Sequence, residues 1–419
     1  MCFLFKAIFY SSLFLIGLIL FLIYLPLIDI NCISYKLDPP PDFVGPLASN
    51  DLLSKAEKLF ENEFLGPESV IQYKGAIYTG LSDGRIIKIV GKKYQTVANI
   101  GGDCKSSGLW DQYKCGRPLG LRFDSNGTLY AVDAYFGLKS IDIETGKVSM
   151  VFNMQTTPID GRKSRFFDDV ALDEGSGTNG GHVFYVSDAS TKWDSDFHVG
   201  ITAEHESTGR LVRIDATSGE AKAVVNGVGF ANGVELTDDK SAVIYSELNS
   251  RRLMKYHIKG PKKGTSEVFT NNLPGEPDNV RRSADKTAET YWVALFSGRN
   301  STHPHFFMDS LQEKPVTRKA IARLVHNLGA ALFWIGDSLN YIPFKDLGYK
   351  LKSGFLFATN IAERGLILEI DSKGQIIRSL HSPDKRVTAL SQVTDVIEGG
   401  KRTLYLGSYY NYYLGRITL

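Results

Sequence analysis

The sequence has no CxxC pair and no cluster of His and Cys, so its residues do not point to a zinc site. It lacks a strong charge bias: the formal net charge is +2, which implies no nucleic acid or other polyanion as partner. Cysteine is scarce, with four in 419 residues. Cys2 and Cys32 flank the apolar N-terminus, and Cys104 and Cys115 bracket a short polar stretch. If that stretch enters the secretory pathway, the second pair is expected to close a disulfide; otherwise both remain thiols. Charge is also missing from Ala7 to Ile28, a run long enough to cross a bilayer.

Lys6 precedes the run, while Asp29, Lys36 and Asp38 follow it. The run reads as a signal-anchor with residues 1–6 as a cytoplasmic tail, 7–28 in the membrane and the bulk of the chain lumenal or extracellular, a single-pass type II arrangement. A cleaved signal peptide is the rival, but no small-x-small cleavage site follows. Residues 29–65 are expected to hold a spacer, stiffened by Pro39-Pro40-Pro41, and a short helix over 47–60, capped by Asn50 or Ser49 with Leu52, Leu53, Ala56, Leu59 and Phe60 on its apolar face.

What the chain does have is a β-type repeat. Six runs share an apolar core around Tyr or Trp: 76–79, 129–132, 183–186, 243–246, 291–294 and 404–407. Several are followed by Gly-x-Ile or Gly-x-Leu, as at Gly84-Arg85-Ile86 and Gly209-Arg210-Leu211. The first five recur about every fifty residues, a period typical of propeller blades. The fold expected over 66–419 is therefore all-β, a six-bladed β-propeller, with a helical insertion at 299–352 before the last blade. Within it, Val316 to Trp334 reads as an amphipathic helix followed by an apolar patch, Ala330 to Ile335. Such a helix either packs on the propeller or touches a membrane.

Side-chain oxygens recur at strand entrances, about ten to seventeen residues ahead of four of the aromatic runs: Glu68, Asp168 with Asp169, Asn232, and Asp278 with Asn279. Asn-Gly and Asp-Asn are also ordinary turn residues. At the same phase in four blades, however, they make a reasonable ligand set for calcium, with water completing it. Two sequons, Asn126-Gly127-Thr128 and Asn300-Ser301-Thr302, are candidate glycosylation sites if lumenal, and Asn126-Gly127 also signals a hairpin turn.

The motifs Gly66-Pro67-Glu68-Ser69, Cys115 to Gly120, Asn126 to Tyr130, Asp188 to Trp193, Asn232-Gly233, Asn272 to Gly275, Pro277-Asp278-Asn279 and Tyr405 to Ser408 resemble the strictosidine synthase-like family of six-bladed propellers. The resemblance runs from about Leu59 to the C-terminus. It implies relatives among calcium-dependent paraoxonases and lactonases, and weak hydrolysis of aryl esters. It further implies that Glu68, Asp168, Asn232, Asp278 and Asn279 hold calcium, with Asp278, and after it Asp168, as nucleophile or general base acting on a small-molecule ester or lactone. Three departures stand out. Asp168 replaces the usual Asn before Asp169. Leu119 stands where paraoxonases carry a catalytic His, and no Glu occurs in 387–392, where the plant synthase has one, so alkaloid condensation is not expected. His381 is read as a surface residue rather than a proton shuttle. A non-catalytic, membrane-tethered binding module with structural calcium is the alternative function.

Overall fold

A computed structural model describes residues 2–104 and 109–419, which divide into two compact units. The larger unit comprises 37–195, 207–304 and 359–419. It contains six four-stranded antiparallel sheets. Five of the sheets are runs of four consecutive strands, because a tight turn joins antiparallel neighbours without a crossover, and the sixth joins three consecutive strands to one from the start of the chain. The first strand of each sheet packs against the first strands of its two neighbours, which closes a ring. These inner strands are Val70–Tyr73, Pro118–Phe123, Phe166–Asp173, Ala231–Leu236, Gly275–Arg282 and Gln392–Glu398, from the first blade to the sixth.

The repeat in the sequence maps onto the second strand of each blade. Tyr78, Tyr185, Tyr245, Trp292 and Tyr405 are buried there. The core is not one mass but a series of wedges between adjacent blades. Val132, Phe152, Phe167, Phe184 and Val212 join the second blade to the third. Ile244, Leu253, Val280, Val293 and Leu366 join the fourth to the fifth. Large β-branched and aromatic side chains suit this geometry, since they fill the gap between two pleated faces.

The segment 47–60 is not a helix. It forms two short turns of 3-10 helix, Gly45–Leu47 and Leu52–Lys55, then a strand, Glu57–Leu59. That strand pairs with Leu414–Thr418 and supplies the fourth strand of the sixth blade, so the ring is closed by chain from both ends. Leu53 and Ala56 are buried between the fifth and sixth blades. Tertiary pairing overrides the helical spacing here, because the last blade would otherwise expose an unpaired edge. Asn50 caps nothing long; its side chain instead accepts from His381 N at 3.1 Å and donates to Ser379 O at 2.9 Å.

Cys104 and Cys115 are joined, with Cα atoms 5.3 Å apart, within the range a disulfide spans. Residues 105–108 of that loop lie outside the described residues. Gly84 packs on the bridge: its φ is +81°, and a Cβ there would lie 2.0 Å from the Cys115 carbonyl oxygen. Replacing Cys104 with Ser is expected to destabilise the propeller by about 3 kcal/mol through the freed loop entropy of the unfolded chain. Thermal unfolding of parent and variant, without reductant, checks this; equal midpoints refute it.

The smaller unit comprises 2–36, 196–206 and 305–358 and is helical. Its helices include Cys2–Tyr24, His198–Glu204, Pro315–Ser338 and Ile342–Lys352. The insertion lies before the last blade, between the second and third strands of the fifth. It extends past the expected limit at 352, through Phe355–Ile361, to the strand beginning at Gly365. The expected crossing at 7–28 corresponds to a helix that starts earlier and ends at Tyr24; its Phe5–Tyr24 stretch is long and apolar enough to cross a membrane.

Candidate metal centre

One backbone device, repeated in four inner strands, builds the centre. In the third blade Phe167 pairs with Asp188 and Val170 with Val186, so Asp168 and Asp169 together face one residue, Ser187. In the fourth, Asn232 and Gly233 face Ser246. In the fifth, Asp278 and Asn279 face Ala294. In the second, Leu119 and Gly120 face Val132. Two residues opposite one is a β-bulge, which bends the strand and re-aims a side chain. The glycines among these pairs are required by the neighbouring blade. A Cβ at Gly120 would meet Asp169 Cα at 2.8 Å, and one at Gly233 would meet Asn279 Cα at 2.6 Å.

The bulges of the third and fifth blades, with the first blade's Glu68, bring three carboxylates together. Glu68, Asp168 and Asp278 each offer an oxygen, and these oxygens all lie within 4.8 Å of one another. All three residues are buried, as are Asn232 and Asn279. Asn279 Nδ2 donates to Glu68 Oε1 at 2.6 Å, and Asn232 and Ser391 bond to the Asp278 carboxylate. Each amide thus turns its N–H toward a carboxylate. The oxygens Asn232 Oδ1, Asn279 Oδ1 and Glu68 Oε2 are buried without a hydrogen-bond partner. Buried acceptors without donors are costly unless something electropositive meets them.

The charges show the same tension. Burial, then the Asp169 charge, pushes Glu68 up to about 7. Burial, then Asp278 and Glu68, holds Asp168 well above the usual carboxylate range. Burial and the Glu68 charge do the same to Asp278. Three crowded carboxyls with bare amide oxygens fit a hard divalent cation, which takes oxygen ligands and relieves the repulsion. The five residues singled out in the sequence therefore converge, and the donor set present fits calcium.

Asp169, beside Asp168, is a different kind of group. Its carboxylate accepts from Arg281 Nη1 at 2.6 Å and Nη2 at 2.9 Å, and from Val234 N at 2.7 Å. Arg122 stands 3.9 Å away. This bidentate pair neutralises a fourth buried acid and ties the third blade to the fourth and fifth. The sequence reading passed over Arg281, Arg122 and Ser391, and also Arg117 and Tyr410. Arg117 is fully buried, donates to Gly66 O at 2.8 Å and stacks over Tyr409 at 4.4 Å. Tyr410 is buried within reach of the Asp278 charge. The one sequence signal for these was position: Arg281 lies two residues past the Asp278-Asn279 pair, and Arg117 lies within the Cys115 to Gly120 motif.

Other expected residues lie apart from this centre. His381 is fully buried, which corrects its reading as a surface residue. It sits on the outermost strand of the fifth blade, with Nε2 2.9 Å from Ser379 Oγ, Nδ1 3.3 Å from Arg364 Nη1 and its ring edge-on to Phe43. Burial and the Arg364 charge push its pKa down to about 4, so the imidazole is neutral near pH 7. Asn126 is exposed in the turn after Pro118–Phe123. Asn300 is half-buried, and its Oδ1 accepts from Thr302 Oγ1 at 3.0 Å and His303 N at 2.8 Å.

Six radial sheets around an acidic centre define a β-propeller with a candidate cation site. A solved structure assigned provisionally as a gluconolactonase has the same fold, with a TM-score of 0.50 and 12% identity over 87% of this chain and 91% of that one. The family models for strictosidine synthase and for the strictosidine synthase-like N-terminal region match residues 177–261 and 45–89. Adipocyte plasma membrane-associated protein of Bos taurus is 34% identical over 94% of this chain and 85% of its own length. That of Homo sapiens is 32% identical over 94% and 84%. The chain belongs to the strictosidine synthase-like family.

Proposed function

We propose that this protein is a membrane-anchored, calcium-dependent hydrolase of small-molecule esters or lactones, with arylesterase-like chemistry. The observation that supports it most is the convergence of Glu68, Asp168 and Asp278 with the bare oxygens of Asn232 and Asn279. These five residues would hold the ion. Bound calcium would supply Lewis-acid polarisation of a substrate carbonyl oxygen. The chain's own groups do the rest. Asp278 is the candidate nucleophile or general base, and Asn232 and Ser391 orient its carboxylate by hydrogen bonds. Asp168 is the second candidate for the same role. Arg281 neutralises Asp169, which stays outside the ligand set. The apolar N-terminal helix would act as a type II anchor, with the propeller lumenal or extracellular at the endoplasmic reticulum or plasma membrane; the relatives' name, plasma membrane-associated, accords with this.

One observation favours a second reading, a non-catalytic module locked by calcium. At the bulge of the second blade the residue is Leu119, buried and apolar, where a proton-shuttling His would be expected of a paraoxonase-type enzyme. Purified full-length protein separates the two. Its calcium content and its hydrolysis of phenyl-type esters are measured before chelation, after chelation and after calcium return. The hydrolase reading expects activity that disappears on chelation and returns with calcium. No hydrolysis by calcium-loaded protein, or hydrolysis indifferent to chelation, overturns it.

A further inference from the structure

The smaller unit carries an unpartnered apolar surface in a defined place. Helix Pro315–Ser338 and helix Ile342–Lys352 form a hairpin held by glycines. A Cβ at Gly329 would lie 2.3 Å from Lys352 N, one at Gly336 2.4 Å from Lys345 N, and one at Gly348 2.2 Å from Phe333 N. Only glycine permits so close an approach of two helix backbones, and the result is a stiff pair. The turn between the helices, 339–341, and the helix ends beside it, from Ser338 to Phe344, have no charged residue, and the flanking Asp337 and Lys345 pair with each other at the base of the tip. Leu339 is 68% exposed, Ile342 55%, Tyr341 48% and Phe344 40%, and Trp334 on the last turns of the first helix is 69% exposed. Aromatic rings and aliphatic chains gathered at an uncharged tip are poorly placed for water and well placed for a bilayer interface.

The N-terminal helix indicates what covers this tip. Its Phe5–Tyr24 stretch has a mean hydropathy of 2.4 and is not buried in protein. Its end is tied directly to the hairpin. The fully buried Asn327 donates through Nδ2 to Leu22 O at 2.6 Å and to Leu25 O at 2.9 Å. The chain that follows is also fixed. Ile33 N donates to Glu204 O at 3.1 Å, and Tyr35 OH donates to Met308 O at 2.8 Å. Arg318, fully buried, donates to Ala203 O, Leu311 O, Gln312 O and Ile33 O. No free linker separates the apolar helix from the hairpin. About twenty residues cross the hydrocarbon, so the Tyr24 end lies at an interface.

We infer that the hairpin tip is a second membrane contact, in which Trp334, Leu339, Tyr341, Ile342 and Phe344 insert at the interface of the bilayer crossed by the N-terminal helix. This rests on the anchor reading above and goes beyond it, because the tip fixes the tilt of the helical unit on the membrane. A single spanning helix leaves its cargo free to rotate; a second, apolar contact tied to it does not.

Of the four tryptophans, Trp110, Trp193 and Trp292 belong to the propeller unit, so Trp334 alone reports on the hairpin. Full-length protein is placed in phosphatidylcholine nanodiscs whose acyl chains carry bromine near the headgroup. Bromine-dependent quenching of tryptophan emission is expected, and it should be lost in Trp334→Phe. The double variant Leu339→Asp, Ile342→Asp should lose it as well while still co-eluting with the discs. Quenching that is absent, or unchanged in Trp334→Phe, overturns the inference. If absence of quenching accompanies crosslinking between copies through the tip, a second copy covers it instead. Protein that does not incorporate into discs overturns the anchor reading along with it.

Discussion

Asp278→Asn is expected to lose about 10²–10⁴-fold in ester hydrolysis while keeping most of its calcium-dependent stability. The substitution preserves an oxygen that can face the ion and removes the group that takes a proton or attacks. It also removes one of three mutually repelling acids, so the metal-free protein should be somewhat more stable than the parent. Asn232→Ala makes the opposite division. It deletes the bare Oδ1 and the N–H that orients Asp278, yet leaves the carboxylate in place. Its calcium affinity should fall, and excess calcium should restore part of its activity. Rates at graded calcium, with melting curves on the same samples, distinguish the pair. Should Asp278→Asn hydrolyse phenyl-type esters at the parent rate, Asp278 is a structural ligand and the mechanism fails.

The paired substitutions are informative because both residues occupy the same bulge position in successive blades. That position was only half legible in the sequence. The recurrence of Asp or Asn ahead of the aromatic runs was visible, and so were Glu68 and the Asp278-Asn279 pair. The bulge was not, because it depends on how two residues of one strand pair with one of its neighbour. Leu119 shows the gap. The resemblance marks it only as standing where a His is carried; the backbone puts it at the same bulge position as Asp168, Asn232 and Asp278.

Other differences have equally local causes. Leu52, Leu53, Ala56, Leu59 and Phe60 have helical spacing, but the sixth blade needs a fourth strand, and Glu57–Leu59 provides it. His381 stands among Ser, Pro and Asp, a composition typical of a surface turn. Pairing with the third strand of the fifth blade, together with Asn50 and Phe43 from the N-terminal segment, buries it. Asp169 and Arg281 are separated by 112 positions, and no local pattern links them. The ring of blades brings them together, and their pairing leaves Asp168 free to face the centre.

Calcium removal should have the largest effect on stability, and the effect should depend on pH in a defined direction. A ligand that binds only the folded state stabilises it by about 4 kcal/mol at a thousandfold excess over Kd. For a domain of this size that is a rise of about 5 °C in melting temperature. The ion competes with protons. In the metal-free centre Glu68 is raised from 4.5 to about 7, and Asp168 and Asp278 are raised too. Between those values the folded protein holds a proton that the unfolded chain releases. Stability of the metal-free protein contributed by Glu68 is therefore full at acid pH and is lost as pH rises through about 7. Calcium binding must expel such protons, so affinity should increase across the same window. The melting temperature gained on adding calcium should be larger at pH 8 than at pH 6, and the chelated protein should lose stability between them. Scanning calorimetry at both pH values, with and without calcium, measures this directly. A gain that is the same at the two values would mean the ion does not meet Glu68, Asp168 and Asp278. No gain at either would return the five residues to a purely structural role at the bulges.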